Sequence, residues 1–183
     1  MKVSAITCPK CGAPSRLNGP DQLFMCERCE TLHDIEENTS HLLEYDVVRS
    51  GQENNDTQYL PFWKLKSEFT VQSSQAEGFW SLMNKTDSAS KRELDIYIPA
   101  WDMDPPSFRS WAINLTTKKW NYKMGGRIGR HKRIPATVSK KQAHELADFV
   151  VVTIEAEKPG TMQYLDYSLK ILDSSVVYIP QTF

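Results

Sequence analysis

Four cysteines lie within the first 29 residues, as Cys8-Pro9-Lys10-Cys11 and, fourteen residues later, Cys26-Glu27-Arg28-Cys29. Two residues between paired cysteines let the chain turn through a tight knuckle that aims both sulfurs at one point, and a hairpin of this length brings the two points together. Four thiolates at the corners of a tetrahedron suit Zn2+ and leave no open coordination position. The chemistry expected of Cys8, Cys11, Cys26 and Cys29 is therefore structural zinc binding. Gly12 follows the first knuckle, where the chain must turn sharply and a positive φ favours glycine. A dithiol redox role, the competing reading of a single Cys-x-x-Cys, lacks its βαβ context here. His33 and His41 are near enough in sequence to ligate, but four sulfurs already complete the shell, and both are expected in solvent. About forty residues bury too little apolar surface to fold alone, so metal binding would supply much of the folding free energy, on the order of 10 kcal/mol.

No catalytic constellation accompanies the cysteines. His144-Glu145-Leu146-Ala147-Asp148 approaches the zinc-protease pattern of two histidines on one helix face, but Asp148 replaces the second histidine, and a polar helix face is expected instead. The nucleophile-elbow and phosphate-loop patterns are missing, and Met124 to Arg130 lacks the glycine spacing of a dinucleotide loop. The chain is expected not to be an enzyme.

Charge identifies a second candidate site. The 183 residues hold 22 Lys and Arg against 23 Asp and Glu, a net charge of -1 that conceals a strong asymmetry. Residues 1–110 carry 11 basic and 17 acidic side chains, residues 111–141 carry 9 basic and none acidic, and residues 142–183 carry 2 and 6. Lys118, Lys119, Lys123, Arg127, Arg130, Lys132 and Arg133, with Trp120 and Tyr122 among them, could attract phosphates and stack on bases. The same loop could dock on an acidic protein or anionic lipid, or simply be a solvated surface. The first forty residues are themselves acidic, a poor surface for nucleic acid.

A hydrophobic content of 40% excludes disorder, and no apolar run is long enough to span a membrane. Met1 to Lys10 lacks the apolar stretch of a secretory signal, so the thiols are expected to stay reduced and the protein to be cytoplasmic.

The segment from Thr7 to about Glu36 resembles the zinc ribbon family, which implies a β-rich metal-bound fold shared by many transcription, replication, ribosomal and adaptor proteins. More weakly, Tyr59-Leu60-Pro61-Phe62-Trp63, Tyr97-Ile98-Pro99-Ala100-Trp101 and the late Val176-Val177-Tyr178-Ile179-Pro180 resemble bacterial zinc-ribbon proteins, some of which accompany membrane-stress systems. Read as residues, each proline marks a strand end or edge. Alternatively Tyr59, Trp63, Tyr97, Trp101 and Tyr178 form an aromatic surface for a protein partner.

The elements that position these residues follow from pattern and punctuation. Residues 1–45 are expected to form the ribbon, 46–57 a polar linker, and 58–183 a mixed domain, giving an α+β protein with two helices and several strands. The segment 58–71 reads as a strand beginning after Pro61, 94–98 as a short strand and 72–92 as a loop. Asp104-Pro105-Pro106 starts a helix over 105–117 and Ser139 caps a second. The valine-rich stretch 149–154 leaves helix and strand open, and two strands are expected around Asp173-Ser174. The functional expectation is a non-enzymatic zinc-binding adaptor with a protein partner, the alternative a nucleic-acid-binding accessory protein using residues 118–133.

Overall fold

The computed structural model describes residues 3–36, 39–54, 56–77, 90–118, 123–126, 128, 132–158 and 161–182. The N-terminal strands pair locally. β1 (Val3–Thr7) runs antiparallel to β2 (Pro14–Asn18), while β3 (Leu23–Met25), β4 (Leu32–Glu36) and β5 (Thr39–Leu43) form an antiparallel three-stranded sheet. One cysteine pair occupies the β1–β2 turn and the other the β3–β4 turn, and the two turns share a backbone pattern. In the first, the Gly12 amide donates to the Cys8 carbonyl at 2.9 Å and the Cys8 amide to the Ala13 carbonyl at 2.9 Å. In the second, the Glu30 amide donates to the Cys26 carbonyl at 2.7 Å and the Cys26 amide to the Thr31 carbonyl at 2.9 Å. Gly12 has the expected positive φ, 69°, and its counterpart Glu30 has φ 54°.

The remaining strands build one six-stranded sheet: β6 (Tyr45–Arg49), β7 (Thr57–Glu77), β8 (Ser90–Pro99), β9 (Lys123–Met124), β10 (Lys132–Arg133) and β11 (Thr161–Thr182). β7 and β11 pair antiparallel along their whole length, from Thr57 opposite Thr182 to Glu77 opposite Thr161. β6 lies parallel to the other side of β11, and β9 closes that edge. The second edge of β7 carries β10 at Gln58–Tyr59 and then β8 from Phe62 to Val71. Pro61 falls in the gap between them. Its carbonyl accepts from the Ala100 amide at 3.0 Å, and since a strand residue's N–H and C=O point the same way, the donor that proline lacks is the one the gap does not need.

Three expectations change. Residues 46–49, read as the start of a linker, belong to β6, and the Leu23, Leu32 and Leu43 side chains join the same buried cluster as Val47, Tyr59 and Trp63. Residues 72–77 and 90–92, read as loop, extend β7 and β8, because a paired neighbour rather than apolar alternation keeps them extended. The two strands expected around Asp173-Ser174 are one, β11, with a register shift between Ile171 and Asp173 that accommodates Leu172 as an extra residue.

Both helices form as their caps dictate. In α1 (Pro105–Thr117) the Ser107 amide donates to Asp104 Oδ1 at 3.0 Å. In α2 (Lys140–Ala156) Ser139 and Gln142 make a reciprocal capping box. The open stretch 149–154 is helical: Ala143, Ala147, Val150 and Val151 are buried, and their mostly small side chains allow close approach to the sheet. α1 flanks the outer edge of β8, where the Tyr97 amide donates to Thr116 Oγ1 at 3.1 Å. No helix among the described residues is long and apolar enough to cross a membrane.

The sheet is buried on both faces at one end. Trp63, Leu65, Phe69, Ile96, Ile98, Val176 and Tyr178 share a core with α2, while Leu60, Phe62, Tyr97 and Val177 pack with Leu115 of α1 and with Trp101 and Trp111. Residues 59–63, 96–100 and 176–178 are buried without interruption. Such double burial requires a continuous apolar run in place of alternation, which accounts for the likeness among the three Tyr-aliphatic-Pro segments.

Candidate metal centre

The two matching turns bring the four sulfurs together. All four Sγ atoms lie within 4.8 Å of one another, with Cys8 to Cys29 at 3.7 Å and Cys11 to Cys26 at 3.6 Å. These separations far exceed the roughly 2.05 Å of a disulfide. A tetrahedral tetrathiolate with zinc–sulfur bonds of about 2.3 Å has sulfur–sulfur edges of about 3.8 Å, so the donors suit a zinc-sized ion in type and number, and these two separations are close to such an edge. Cys8 and Cys26 are buried, Cys11 and Cys29 half-buried, and Ala13 and Phe24 pack around them with Ile6 and Ile35.

Local donors bias the thiols. Burial opposes ionisation of Cys8, but the amides of Cys11 and Lys10 outweigh it and the pKa falls below the ordinary thiol value. The Thr31 hydroxyl and amide bring Cys29 down to about 6. Cys11 receives the Ala13 amide, yet burial and the three neighbouring thiols raise it to about 12.

The structure adds two residues to the site. His33, expected in solvent, is 2% exposed, stacks on Phe24 with ring centroids 5.6 Å apart, and places Nε2 3.8 Å from Cys8 Sγ. Thr31 Oγ1 lies 3.0 Å from Cys29 Sγ and 3.0 Å from His33 Nε2. Burial holds the imidazole pKa below its usual value, aided by the Lys10 charge. His41 is exposed, as expected.

The other candidate residues are distributed differently. Lys118, Lys123 and Lys132 are exposed, whereas Lys119, Trp120, Tyr122, Arg127 and Arg130 lie outside the described residues. Lys123 and Lys132 stand on opposite outer strands, β9 and β10, separated by four strand spacings of about 4.8 Å each. Arg133 is engaged within the chain. Its guanidinium pairs with the Asp21 carboxylate and donates to the Leu23 carbonyl at 2.8 Å, and Asp21 also accepts from the Ala136 amide at 3.0 Å. Sequence offers no signal for this link, which ties the cysteine-bearing hairpins to the large sheet.

The aromatic surface is corrected as well. Tyr59, Trp63 and Tyr178 are fully buried and Tyr97 nearly so; Trp101, half-buried, meets Phe62 edge to face at 5.1 Å. These rings are core because both sheet faces are covered there. On α2, His144 Nε2 lies 2.8 Å from Ser174 Oγ, and Tyr167 donates to Asp148 at 2.6 Å, so the polar helix face is cross-linked to β11.

Comparison with protein-family models, curated proteins and solved structures finds no match to this chain.

Proposed function

We propose that Cys8, Cys11, Cys26 and Cys29 hold a structural Zn2+ in a zinc ribbon, and that the protein is a non-enzymatic cytoplasmic adaptor that engages a protein partner. The observation that carries the metal reading is the convergence of four sulfurs within 4.8 Å. A closed shell of four thiolates leaves no position for substrate, so the ion's work is to join the two hairpins. Protein purified without chelator is expected to contain one zinc per chain. A stoichiometry near zero, with the hairpins still folded, would overturn the assignment.

What supports a protein partner is the surface beside the second knuckle. Leu42, 63% exposed, borders a cleft of about 570 Å3 lined also by Glu30, Glu44 and Asp46. An apolar side chain among carboxylates suits a basic segment with an apolar tip. A partner retained by the parent chain and released by Leu42→Asp supports this face; retention by both rejects it.

A nucleic-acid partner is the second reading, supported by the exposure of Lys118, Lys123 and Lys132. The separation of Lys123 from Lys132 and the commitment of Arg133 to Asp21 favour the protein partner instead. Titration of single- and double-stranded nucleic acid against salt separates the two. Binding at low salt that falls steeply with added salt, and is lost on replacing the three lysines, establishes the second reading.

A further inference from the structure

We propose that Thr31 and His33 form a directed hydrogen-bond relay, from His33 Nε2–H to Thr31 Oγ1 and from the Thr31 hydroxyl to the Cys29 thiolate, which strengthens metal retention and keeps His33 outside the coordination shell. The proposal rests on the four-cysteine reading above and concerns residues that touch the thiolates, not the ion.

The direction follows from counting hydrogens. Thr31 has one hydroxyl hydrogen, and its oxygen stands 3.0 Å from both Cys29 Sγ and His33 Nε2. A metal-bound thiolate has no hydrogen to give, so the hydroxyl donates to sulfur and its oxygen accepts from Nε2. The opposite tautomer would set two acceptors against one hydroxyl hydrogen and place an N–H on Nδ1, a buried atom with no hydrogen-bond partner among the described residues.

The relay also answers a problem of identity. In a site of three sulfurs and one imidazole nitrogen, a sulfur–nitrogen edge is about 3.6 Å. His33 Nε2 already stands 3.8 Å from Cys8 Sγ, close enough to compete for the ion. A nitrogen that carries hydrogen has no lone pair to offer, so the relay that supports Cys29 also disqualifies His33 as a ligand. A divalent ion with four thiolates is a dianion, and Thr31 brings a donor to its Cys29 corner, held in that direction by the buried His33 behind it.

The test uses the full chain loaded with zinc, and with cobalt for spectroscopy. Long-range nitrogen–proton NMR correlation of His33 is expected to show hydrogen on Nε2, and the cobalt spectrum four sulfur ligands. Thr31→Val, similar in volume, is expected to weaken zinc affinity by about 10- to 100-fold. Thr31→Ser should restore it, and His33→Phe, which keeps a ring against Phe24, should weaken it. Hydrogen on Nδ1, a nitrogen in the cobalt shell, or Thr31→Val affinity equal to the parent's would overturn the relay while leaving the four-cysteine site standing. A parent chain that takes up neither metal would instead end the metal reading, and the relay with it.

Discussion

At the residue scale, the knuckles show how one backbone requirement is met in two ways. Gly12 and Glu30 occupy equivalent left-handed positions, one without a Cβ and one with it. A Cβ at residue 12 meets nothing within 4 Å, so Gly12→Ala tests backbone conformation alone. It is expected to lower the stability of the zinc-loaded protein by about 1–2 kcal/mol, read from denaturant unfolding. The Asp21–Arg133 pair carries more. Asp21→Ala leaves a largely buried guanidinium without its carboxylate and the Ala136 amide without its acceptor, with an expected loss of about 3–5 kcal/mol in the same assay. The cysteines were legible because their chemistry is written in short spacing. Thr31 and His33 were not: whether a polar side chain beside a metal site faces solvent or sulfur depends on strand register. Arg133 reads as part of an anion-binding loop because its partner lies 112 positions away.

At the element scale, helices were easier to read than strands for a physical reason. Asp104 and Ser139 act on amides three residues away, so the starts of α1 and α2 are local events. Ser139→Ala removes half of a capping box and is expected to cost about 1 kcal/mol. Asp104 is held below the usual carboxylate range by the Ser107 side chain and amide. Its stabilisation is therefore present above the unfolded value of about 3.9 and is lost as pH falls through the lower folded value. Parent and Asp104→Asn chains are expected to show different pH dependence of unfolding below about pH 4 and the same dependence above it. β7 and β11, by contrast, owe their length to each other. The polar residues 72–77 carry no apolar alternation, and their extension follows from pairing with residues far along the chain. Around Pro61, Pro99 and Pro180 the strand-end reading holds at Pro99, where β8 stops, whereas the aromatic-surface alternative errs in the opposite sense, since aromatic residues suited to an interface are equally suited to a sheet covered on both sides.

At the scale of the whole molecule, the cysteine-bearing hairpins and the sheet are mechanically joined. Leu23, Leu32 and Leu43 enter the main core, the Gln22 amide donates to the Ala136 carbonyl at 2.6 Å, and Tyr45 donates to the Glu30 carbonyl at 2.9 Å. Metal removal should therefore be felt beyond the hairpins. Hydrogen exchange with and without chelator is expected to show lost protection in β3–β5 and also in β6; an unchanged β6 would mean the two parts unfold independently. The placement of β11 has a temporal consequence. It follows the other described elements in chain order, yet it lies between β6 and β7, so β6, whose other neighbour is the short β9, cannot be joined to β7 until β11 has been synthesised. The cysteine hairpins need only the first 43 residues to pair. On a ribosome the four thiols are thus presented before β11 exists, and the ion proposed for them would find its ligands before β6 and β7 are joined.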